Sequence, residues 1–565
     1  MNKFLGRSDL KVTELNAVKP GLNKIVVGTV HYGHQAMIME KDVPVKMRDG
    51  ITLYVNVFRP DKSGTFPVVM SADVYGKDFK SRFPSFGPSW PTLGAIQASE
   101  FTAEESPDPG FWVPNDYVLI KVALRGSSDS EGGLHPWSLL EAEDYYEVIQ
   151  WAGVQEWSSG NVGTNGVSYL AVTQWWVASL NPPHLKAMIP WEGLTDMYRE
   201  IAFHGGIPDT GFFRFWADGL LARWPHNKEM ENLKAGQKEH PLLDDYWENR
   251  HMKLSDIKVP MFVCASWSTQ GLHNRGTFEG FKQASSKDKW LQVHGRKEWE
   301  TYYARESLER QKAFFDYFLK GIENDWRDTP RVCLEVREKF YQGQIRFEKE
   351  WPIARTEYTK LYLNGEKMTL QNEQSKNEIK LTYTADPGHT ENNELRFKIS
   401  FTEDTELTGY MKLKLWVSTD VADDMDIFIG IKKYDRRSNE VYLPDFNHIE
   451  NGQVATGWLR VSHRELDTEK STPYQPWLKH NRLWKLKKGE IVPVEIEIWP
   501  SSTLFKAGES LVLVVKGSEI ITESSSPSRK VRYEHMETVN EGTHLVFAGG
   551  KYDSFLLVPV IPKEE

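Results

Sequence analysis

The sequence contains few cysteines, no long apolar stretch and no long block of like charge. Its 565 residues include only two cysteines, Cys264 and Cys333, which form neither a disulfide framework nor a metal-ligand cluster. No run reaches the roughly 18 apolar residues of a membrane-spanning helix, and the first residues lack the apolar stretch of a signal peptide. We therefore expect a soluble, cytoplasmic chain that binds no metal and no other cofactor.

The charges argue against nucleic acid as a partner. The chain carries 69 basic and 79 acidic residues, a net charge of −10, spread without long blocks of one sign. Aromatic residues are plentiful, with 21 Trp, 22 Tyr and 27 Phe, and such side chains pack cores or line apolar pockets. We expect a small-molecule or short-peptide ligand, with neither nucleic acid nor membrane as a partner, and we leave open whether the chain forms a homo-oligomer.

Short apolar runs alternate with helical patterns over the first half of the chain. "ITLYVNVFRP" alternates as an edge strand does, whereas "FPVVMSADVY", "DYVLIKVALRG", "LKAMIPW" and "VPMFVCAS" are continuous apolar runs, typical of buried parallel strands. Strands that alternate with helices predict the α/β class with a mostly parallel sheet. Over residues 192–258 this alternation stops, and an aromatic, then polar and helix-prone segment predicts a helical cap inserted between two strands.

The last part of the chain has a different pattern. From residue 331 onward, helical patterns nearly vanish and short alternating strands recur, as in "ELRFKISF" and "GYMKLKLWVS". This pattern predicts a separate all-β sandwich of jelly-roll type. We therefore divide the chain into a leader segment 1–40, an α/β domain made of 41–191 and 259–325, a helical cap 192–258 inserted in it, and a C-terminal β-domain 331–565.

One serine lies where a nucleophile would be expected. In "GTNGVSYLAVTQWW", Ser168 stands between a strand-like run and a helix-like stretch. Small residues there permit the sharp turn of a nucleophile elbow, and the N-terminus of the following helix offers backbone N–H groups to a developing oxyanion. Ser168 is therefore a candidate nucleophile, although a serine at this position can also simply cap the helix. Tyr75 follows an apolar strand, and residues beyond the carboxyl ends of parallel strands line the crevice of such sheets.

Four stretches together resemble a known family. "VPVKMRDGITLYVNVFRP", "DVYGKDF", "RGSSDSEGG" and "SSGNVGTNGVSYLAVTQWW", in this order and spacing, resemble the cocaine esterase and X-prolyl dipeptidyl-peptidase (CocE/NonD) group of α/β-hydrolases. The resemblance implies an α/β-hydrolase fold with a helical cap and a jelly-roll-like C-terminal domain. It also implies a serine hydrolase of esters, amides or X-Pro peptides, with Ser168 as nucleophile and the Tyr75 hydroxyl and the backbone N–H of Tyr169 as oxyanion donors.

The aspartate and the histidine of that group's Ser-Asp-His triad have no match at the corresponding positions. Thr269 occupies the place of the aspartate, and the stretch where the histidine would lie contains Lys297, Glu298 and Trp299. A serine hydroxyl without a base is a poor nucleophile near neutral pH. The sequence therefore leaves the identity of the base and the acid open.

Three alternatives follow from this departure. In the first, His294 is the base and Glu192 the acid, with His273 as a further candidate base. In the second, a Ser-Lys arrangement uses Lys297. In the third, catalysis is lost and the chain is a binding protein on a hydrolase scaffold. In each case four closely spaced aromatic residues of the cap are expected to contribute to a substrate pocket: Phe212, Phe213, Phe215 and Trp216.

Overall fold

The computed structural model describes residues 12–13, 26–32, 35–78, 98–103, 105–220, 229–445, 451–520 and 534–563. Much of the segment predicted as a leader and residues 221–228 of the predicted cap lie outside these residues. The described part of the leader contains strand structure, because residues 26–32 and 35–46 pair as an antiparallel hairpin.

A mostly parallel sheet forms the N-terminal part of the molecule, and a two-stranded hairpin of β9 and β10 stands apart from it. The strands are β1 (Val12–Thr13), β2 (Val26–Tyr32), β3 (Gln35–Lys46), β4 (Thr52–Pro60), β5 (Phe66–Asp73), β6 (Val118–Ala123), β7 (Ser158–Val167), β8 (Leu185–Trp191), β9 (Phe203–His204), β10 (Ile207–Pro208), β11 (Met261–Ser266), β12 (Lys289–His294), β13 (Val332–Lys339) and β14 (Gln342–Glu348). From β6 the order runs β5, β7, β8, β11, β12 and β13, with every neighbouring pair parallel. The carboxyl ends of these strands therefore meet at one edge of the sheet.

β4 is not an edge strand, contrary to the prediction from its alternating pattern. It pairs with β6 on one side and with β3 on the other, and both pairings are antiparallel. The hairpin of β2 and β3 extends the sheet beyond it and covers the edge that the alternation suggested. By contrast β5, β6 and β11 are buried along their whole length, which agrees with their continuous apolar runs.

Helices cover both faces of this sheet. They are α1 (Pro109–Trp112), α2 (Leu139–Gly153), α3 (Tyr169–Ser179), α4 (Phe212–Phe215), α5 (Leu233–Glu239), α6 (Asp245–Glu248), α7 (His273–Gln283), α8 (Glu298–Tyr303) and α9 (Arg305–Lys320). Side chains of α2, α3 and α7 share one apolar cluster with Val68 and Met70 of β5. Those of α1, α8 and α9 share another with Val69 of the same strand. Successive residues of a strand point to opposite faces, so the two clusters lie on the two sides of the sheet.

The described residues between β8 and β11 add no strand to the main sheet. They contain π-helical turns at Tyr198–Ala202 and Trp216–Leu220, the β9–β10 hairpin, and the short helices α4, α5 and α6. β8 and β11 are nevertheless direct parallel neighbours. The segment is therefore an insertion at the edge of the sheet where the strands have their carboxyl ends.

The C-terminal part is built mostly from antiparallel strands. They are β15 (Glu357–Asn364), β16 (Thr369–Gln371), β17 (Ile379–Thr384), β18 (Glu394–Ser400), β19 (Thr405–Thr419), β20 (Asp426–Tyr434), β21 (Glu440–Val441), β22 (Ala455–Arg460), β23 (Val492–Phe505), β24 (Ser510–Lys516), β25 (Thr543–Ala548) and β26 (Phe555–Ile561). β19 pairs with β23, β25 and β26, whereas β24 pairs with β18 and β20. Residues from both groups form one apolar core.

This β-domain packs against α7 of the N-terminal part. Arg275 of α7 bonds Glu497 of β23 at 3.0 Å, and the side chain of Gln270 donates to the Pro500 carbonyl at 3.0 Å. Among the described residues, no helix is long and apolar enough to cross a membrane.

Candidate active site

Ser168 occupies a sharp turn between β7 and α3. Its backbone angles are φ 58° and ψ −118°, and its N–H points toward the carbonyls of Trp191 and Glu192 at 3.0 and 3.1 Å. Gly166, two residues earlier, has φ +151°, and a Cβ there would lie 2.5 Å from Leu170 Cβ. A glycine is therefore needed for the strand and the helix to approach, as in a nucleophile elbow. Ser168 itself is only partly buried.

His273 contacts the serine hydroxyl. Its Nε2 lies 3.0 Å from Ser168 Oγ, which is hydrogen-bond distance. His273 is the first residue of α7, and burial lowers the pKa of its ring to about 3. The imidazole is therefore neutral at pH 7 and carries a lone pair that can accept a proton. Its other nitrogen, Nδ1, is buried without a hydrogen-bond partner among the described residues.

A carboxyl group also lies near the Nε2 atom of His273. Glu298 Oε1 is 3.6 Å from His273 Nε2, and Glu298 is buried at the start of α8. The structure thus brings together a serine, a histidine and a glutamate from three separate loops. Glu298 lies in the stretch where the sequence pattern would place the histidine of the triad, so the sequence analysis noted the residue without assigning it a role.

The residues predicted as base and acid, His294 and Glu192, contact each other. His294 Nε2 lies 2.8 Å from Glu192 Oε1, and the Thr269 hydroxyl donates to the other carboxylate oxygen, Oε2, at 3.0 Å. They meet because β8, β11 and β12 are neighbours and their ends share one edge of the sheet. The ring nitrogen at the serine hydroxyl belongs instead to His273. The Lys297 ammonium donates to the backbone carbonyl of Asp445 in the β-domain at 2.8 Å.

Four aromatic side chains beside Ser168 form what we call the aromatic wall: Tyr75, Trp137, Tyr169 and Trp216. Trp137 and Trp216 stack with ring centroids 4.5 Å apart, and Trp137 and Tyr169 stack at 5.4 Å. The Trp216 indole N–H donates to the Tyr75 hydroxyl oxygen at 3.0 Å. A hydroxyl that accepts a hydrogen bond is a stronger donor, which suits a tyrosine that binds an oxyanion.

The four predicted pocket aromatics differ in their surroundings. Trp216 belongs to the aromatic wall, whereas Phe213 is buried in the core and Phe212 is half-buried against it. Phe215 is 40% exposed. Their close spacing in sequence prevents all four from sharing one face, as expected. Trp137 was missed by the sequence analysis, because it precedes α2, far from the cap in sequence, and only the fold brings it to Trp216.

A buried glutamate accepts a hydrogen bond from one residue of the aromatic wall. The Tyr169 hydroxyl donates to Glu141 Oε2 at 2.6 Å. Burial raises the pKa of Glu141 to about 8, so this carboxyl group is mostly protonated at pH 7. The contact between Tyr169 and Glu141 is therefore a hydrogen bond between two largely uncharged groups.

Two family models match consecutive parts of the chain. Residues 49–297 match the X-Pro dipeptidyl-peptidase (S15) family, and residues 324–557 match the X-Pro dipeptidyl-peptidase C-terminal non-catalytic domain. The first contains Ser168 and His273. The second covers β13 and β14 and most of the C-terminal antiparallel strands.

Known proteins resemble the chain over nearly its whole length. A crystal structure of a CocE/NonD family hydrolase from Staphylococcus aureus has 64% sequence identity and a TM-score of 0.93, covering 99% of this chain and 100% of that one. Cocaine esterase from Rhodococcus is 24% identical, over 92% of this chain and 98% of its own. A putative Xaa-Pro dipeptidyl-peptidase from Bacillus anthracis is 22% identical, over 82% and 80%.

These likenesses agree with the sequence motifs and with the observed architecture, an α/β-hydrolase-like fold followed by a C-terminal β-domain. The chain belongs to the CocE/NonD family of hydrolases.

Proposed function

We propose that the chain is a serine hydrolase that forms an acyl-enzyme on Ser168, with His273 as the general base and Glu298 as its acidic partner. The observation that carries this proposal is the 3.0 Å contact between His273 Nε2 and Ser168 Oγ. Geometry of this kind supplies the base that the sequence pattern lacks at its usual position. It favours a working hydrolase over a binding protein that has lost its chemistry.

The proposed reaction has two halves. As Ser168 Oγ bonds the carbonyl carbon of the substrate, its proton moves to His273 Nε2, and the leaving group then takes that proton as its bond to carbon breaks. Water repeats the sequence on the acyl-enzyme, with His273 again accepting and returning the proton. Glu298, 3.6 Å from the same nitrogen, stabilises the transient imidazolium.

The oxyanion of each tetrahedral intermediate is assigned to two donors, the Tyr75 hydroxyl and the backbone N–H of Tyr169. Tyr169 is the first residue of α3, where backbone N–H groups have no partner within the helix. Tyr75 contacts Tyr169 edge-on, with ring centroids 5.9 Å apart. In this proposal both donors bind the same oxygen.

The substrate class we propose is a carboxylic ester or amide with a flat or apolar acyl group. The aromatic wall supports this choice, since stacked rings bind apolar groups and exclude water. Relatives named as a cocaine esterase and a putative Xaa-Pro dipeptidyl-peptidase span esters and X-Pro peptides. In this proposal the insertion 192–258 acts as the cap, because it supplies Trp216 to the wall.

The test uses a fluorophosphonate probe, with the adduct located by mass spectrometry, together with turnover of an aryl ester. We expect labelling on Ser168, no labelling of Ser168→Ala, and a loss of about 10²- to 10⁴-fold in kcat/KM for His273→Gln. The matched control is His294→Gln, which changes the neighbouring buried histidine and is expected to retain most activity. Circular dichroism checks the fold of each variant.

Two results would contradict the proposal. If His294→Gln lost labelling while His273→Gln retained it, the base would be His294, paired with Glu192. If the well-folded wild type gave neither labelling nor turnover, the chain would be a binding protein on a hydrolase scaffold.

A further inference from the structure

A second cluster of ionisable side chains lies buried between the insertion and the β-domain. Its members are His204 of β9, Asp209 just after β10, and His535, each at most 3% exposed. One donor atom from each residue lies within 4.8 Å of the other two. The proposed hydrolase mechanism uses none of the three.

Each histidine ring uses one nitrogen for a hydrogen bond outside the cluster, and these bonds indicate which nitrogen of each ring faces the other histidine. His204 Nε2 lies 2.8 Å from the Gly271 carbonyl oxygen, and His535 Nδ1 lies 2.5 Å from Glu519 Oε1. Both partners are acceptors, so both of these nitrogens carry the hydrogen. His204 Nδ1 and His535 Nε2 remain, and they face each other at 2.8 Å. If both rings are neutral in these tautomers, their lone pairs point at one another, and a cation between them, either a proton or a metal ion, removes the repulsion.

Asp209 adds an oxygen to this pair. Its Oδ1 accepts the backbone N–H of Phe213 at 3.0 Å, whereas Oδ2 is buried without a hydrogen-bond partner among the described residues. A buried polar oxygen without a partner is costly, and such atoms are rare in folded proteins. A positive ion at the two imidazoles would satisfy it.

We propose that His204 Nδ1, His535 Nε2 and Asp209 Oδ2 bind a divalent transition-metal ion, with zinc as the best match. Two imidazole nitrogens and one carboxylate oxygen are a donor set typical of zinc. Histidine ligands of zinc donate their other N–H to a carboxylate or a backbone carbonyl, as His535 does to Glu519 and His204 to Gly271. Tetrahedral Zn–N bonds of about 2.0–2.1 Å place two nitrogens roughly 3.3 Å apart, so the rings need to separate by only about 0.5 Å.

The position of the cluster indicates a structural role. Residues next to it already join the insertion to the β-domain: the Thr210 hydroxyl donates to the Glu534 carbonyl at 2.8 Å, and Arg214 pairs with Glu537. Asp209 also precedes α4, which leads to Trp216 of the aromatic wall. A metal ion bound here would link His204 and Asp209 of the insertion to His535 of the β-domain. It would thereby stabilise the position of the aromatic wall beside Ser168.

The experiment begins with the purified full chain, dialysed against a chelator and then titrated with zinc by calorimetry and with cobalt by absorbance. We expect one metal ion per chain and a higher melting temperature in the presence of zinc. Asp209→Asn and His535→Gln should abolish binding. Glu519→Gln, which removes only the acceptor behind His535, should weaken it about 10- to 100-fold.

The matched control is His463→Gln. His463 and His480 form another buried histidine pair, with their Nδ1 atoms 3.0 Å apart, and the described residues offer no third metal-binding side chain to them. This variant should bind metal as the wild type does. If the wild type binds less than about a tenth of an equivalent, or if Asp209→Asn and His535→Gln bind unchanged, the proposal is wrong and the shared cation is a proton. Should either of those variants fail to fold, Glu519→Gln and the wild-type stoichiometry still decide.

Discussion

At the scale of single residues, the Tyr75 hydroxyl carries the most direct test of the oxyanion assignment. Tyr75→Phe removes one proposed donor and leaves the ring of the aromatic wall in place. Loss of one such donor typically lowers kcat by about 10²- to 10³-fold. The measurement is kcat for an aryl ester. Trp216→Phe, which removes the N–H donated to Tyr75 together with part of the ring stacked on Trp137, should have a smaller effect, and equal activity of Tyr75→Phe and wild type would refute the assignment.

The low pKa of His273 predicts the acid side of the pH profile. The base must be neutral, and burial lowers its pKa from 6.5 to about 3. As pH falls, His273 therefore stays unprotonated until well below pH 6.5, and kcat/KM should show no loss near pH 6.5 that belongs to this ring. The profile is measured from pH 5 to 8 with an uncharged ester. A decline centred near pH 6.5 would contradict the assignment of the buried, neutral His273 as the base.

Glu141 predicts a change in stability with pH. Its pKa rises from 4.5 to about 8 on burial, so between these values the folded state holds a proton that the unfolded state releases. The free energy of unfolding therefore falls as pH rises through this window, by up to about 1.4 kcal/mol per pH unit. Glu141→Gln mimics the protonated form and should gain melting temperature relative to wild type from pH 5 to pH 8. Glu143→Gln, on the same helix but more exposed, should keep the wild-type slope.

At the scale of elements, the turn from β7 to α3 predicts the effect of adding one methyl group. Gly166→Ala combines an unfavourable φ of +151° with a contact of 2.5 Å to Leu170 Cβ. Backbone strain of about 1–3 kcal/mol and overpacking of about 1–3 kcal/mol should both lower stability. Because the added methyl group would displace the elbow, we also expect the fluorophosphonate probe to label Ser168 less in this variant.

A second glycine provides the control for that experiment. Gly321 ends α9 with φ +66°, and a Cβ there would meet no atom within 4 Å. Gly321→Ala should cost only roughly 1–2 kcal/mol, with labelling of Ser168 intact. Thermal melts and the fluorophosphonate probe measure both effects. Full labelling of Gly166→Ala would mean that the elbow tolerates a side chain and does not fix the serine.

The sequence was informative about elements where local patterns decide the structure. Continuous apolar runs identified β5, β6 and β11. At the start of α2, Ser138 Oγ accepts the Glu141 N–H at 3.2 Å, a contact typical of a serine three residues before a glutamate. The Glu141 side chain, however, turns to Tyr169, a contact made 28 residues away in the chain. Contacts of this kind depend on packing and leave no local pattern.

The same limit explains the candidate site. The positions of Ser168 and Tyr75 after the ends of β7 and β5 were predictable, because each follows a strand-like run; their catalytic roles stay a prediction. The choice among His273, His294 and Lys297 depends on which side chain reaches the elbow from neighbouring loops, and their spacing in sequence is similar for all three. Only the packing of α7 against the sheet sets His273 at the serine.

At the scale of the whole molecule, Arg275 links the hydrolase part to the β-domain. It is buried, and it bonds Glu200 of the insertion at 2.8 Å and Glu497 of β23 at 3.0 Å, while its guanidinium lies over the Trp477 ring. Arg275→Met leaves two carboxylates without their cation. Removing one partner of a buried pair costs about 3–5 kcal/mol.

We expect Arg275→Met to lower the melting temperature strongly and to reduce activity, because Arg275 lies two residues after His273 on α7. Calorimetry and ester turnover measure the two effects. Arg396→Met is the control, since that arginine pairs with Glu394 on the exposed surface, where such pairs contribute about 0–1 kcal/mol. Equal melting temperatures for the two variants would show that the interface does not depend on Arg275.

The link through Arg275 also has a consequence for how the chain is made. Arg275 leaves the ribosome 222 residues before Glu497, and at about 5–20 residues per second this interval lasts about 10–45 s. During that time Arg275 of α7 lacks the Glu497 carboxylate of β23, its partner in the β-domain, although Ser168 and its elbow are already synthesised. The contact between Arg275 and Glu497, which holds the helix of His273, can therefore form only after β23 has been synthesised, well after the serine elbow.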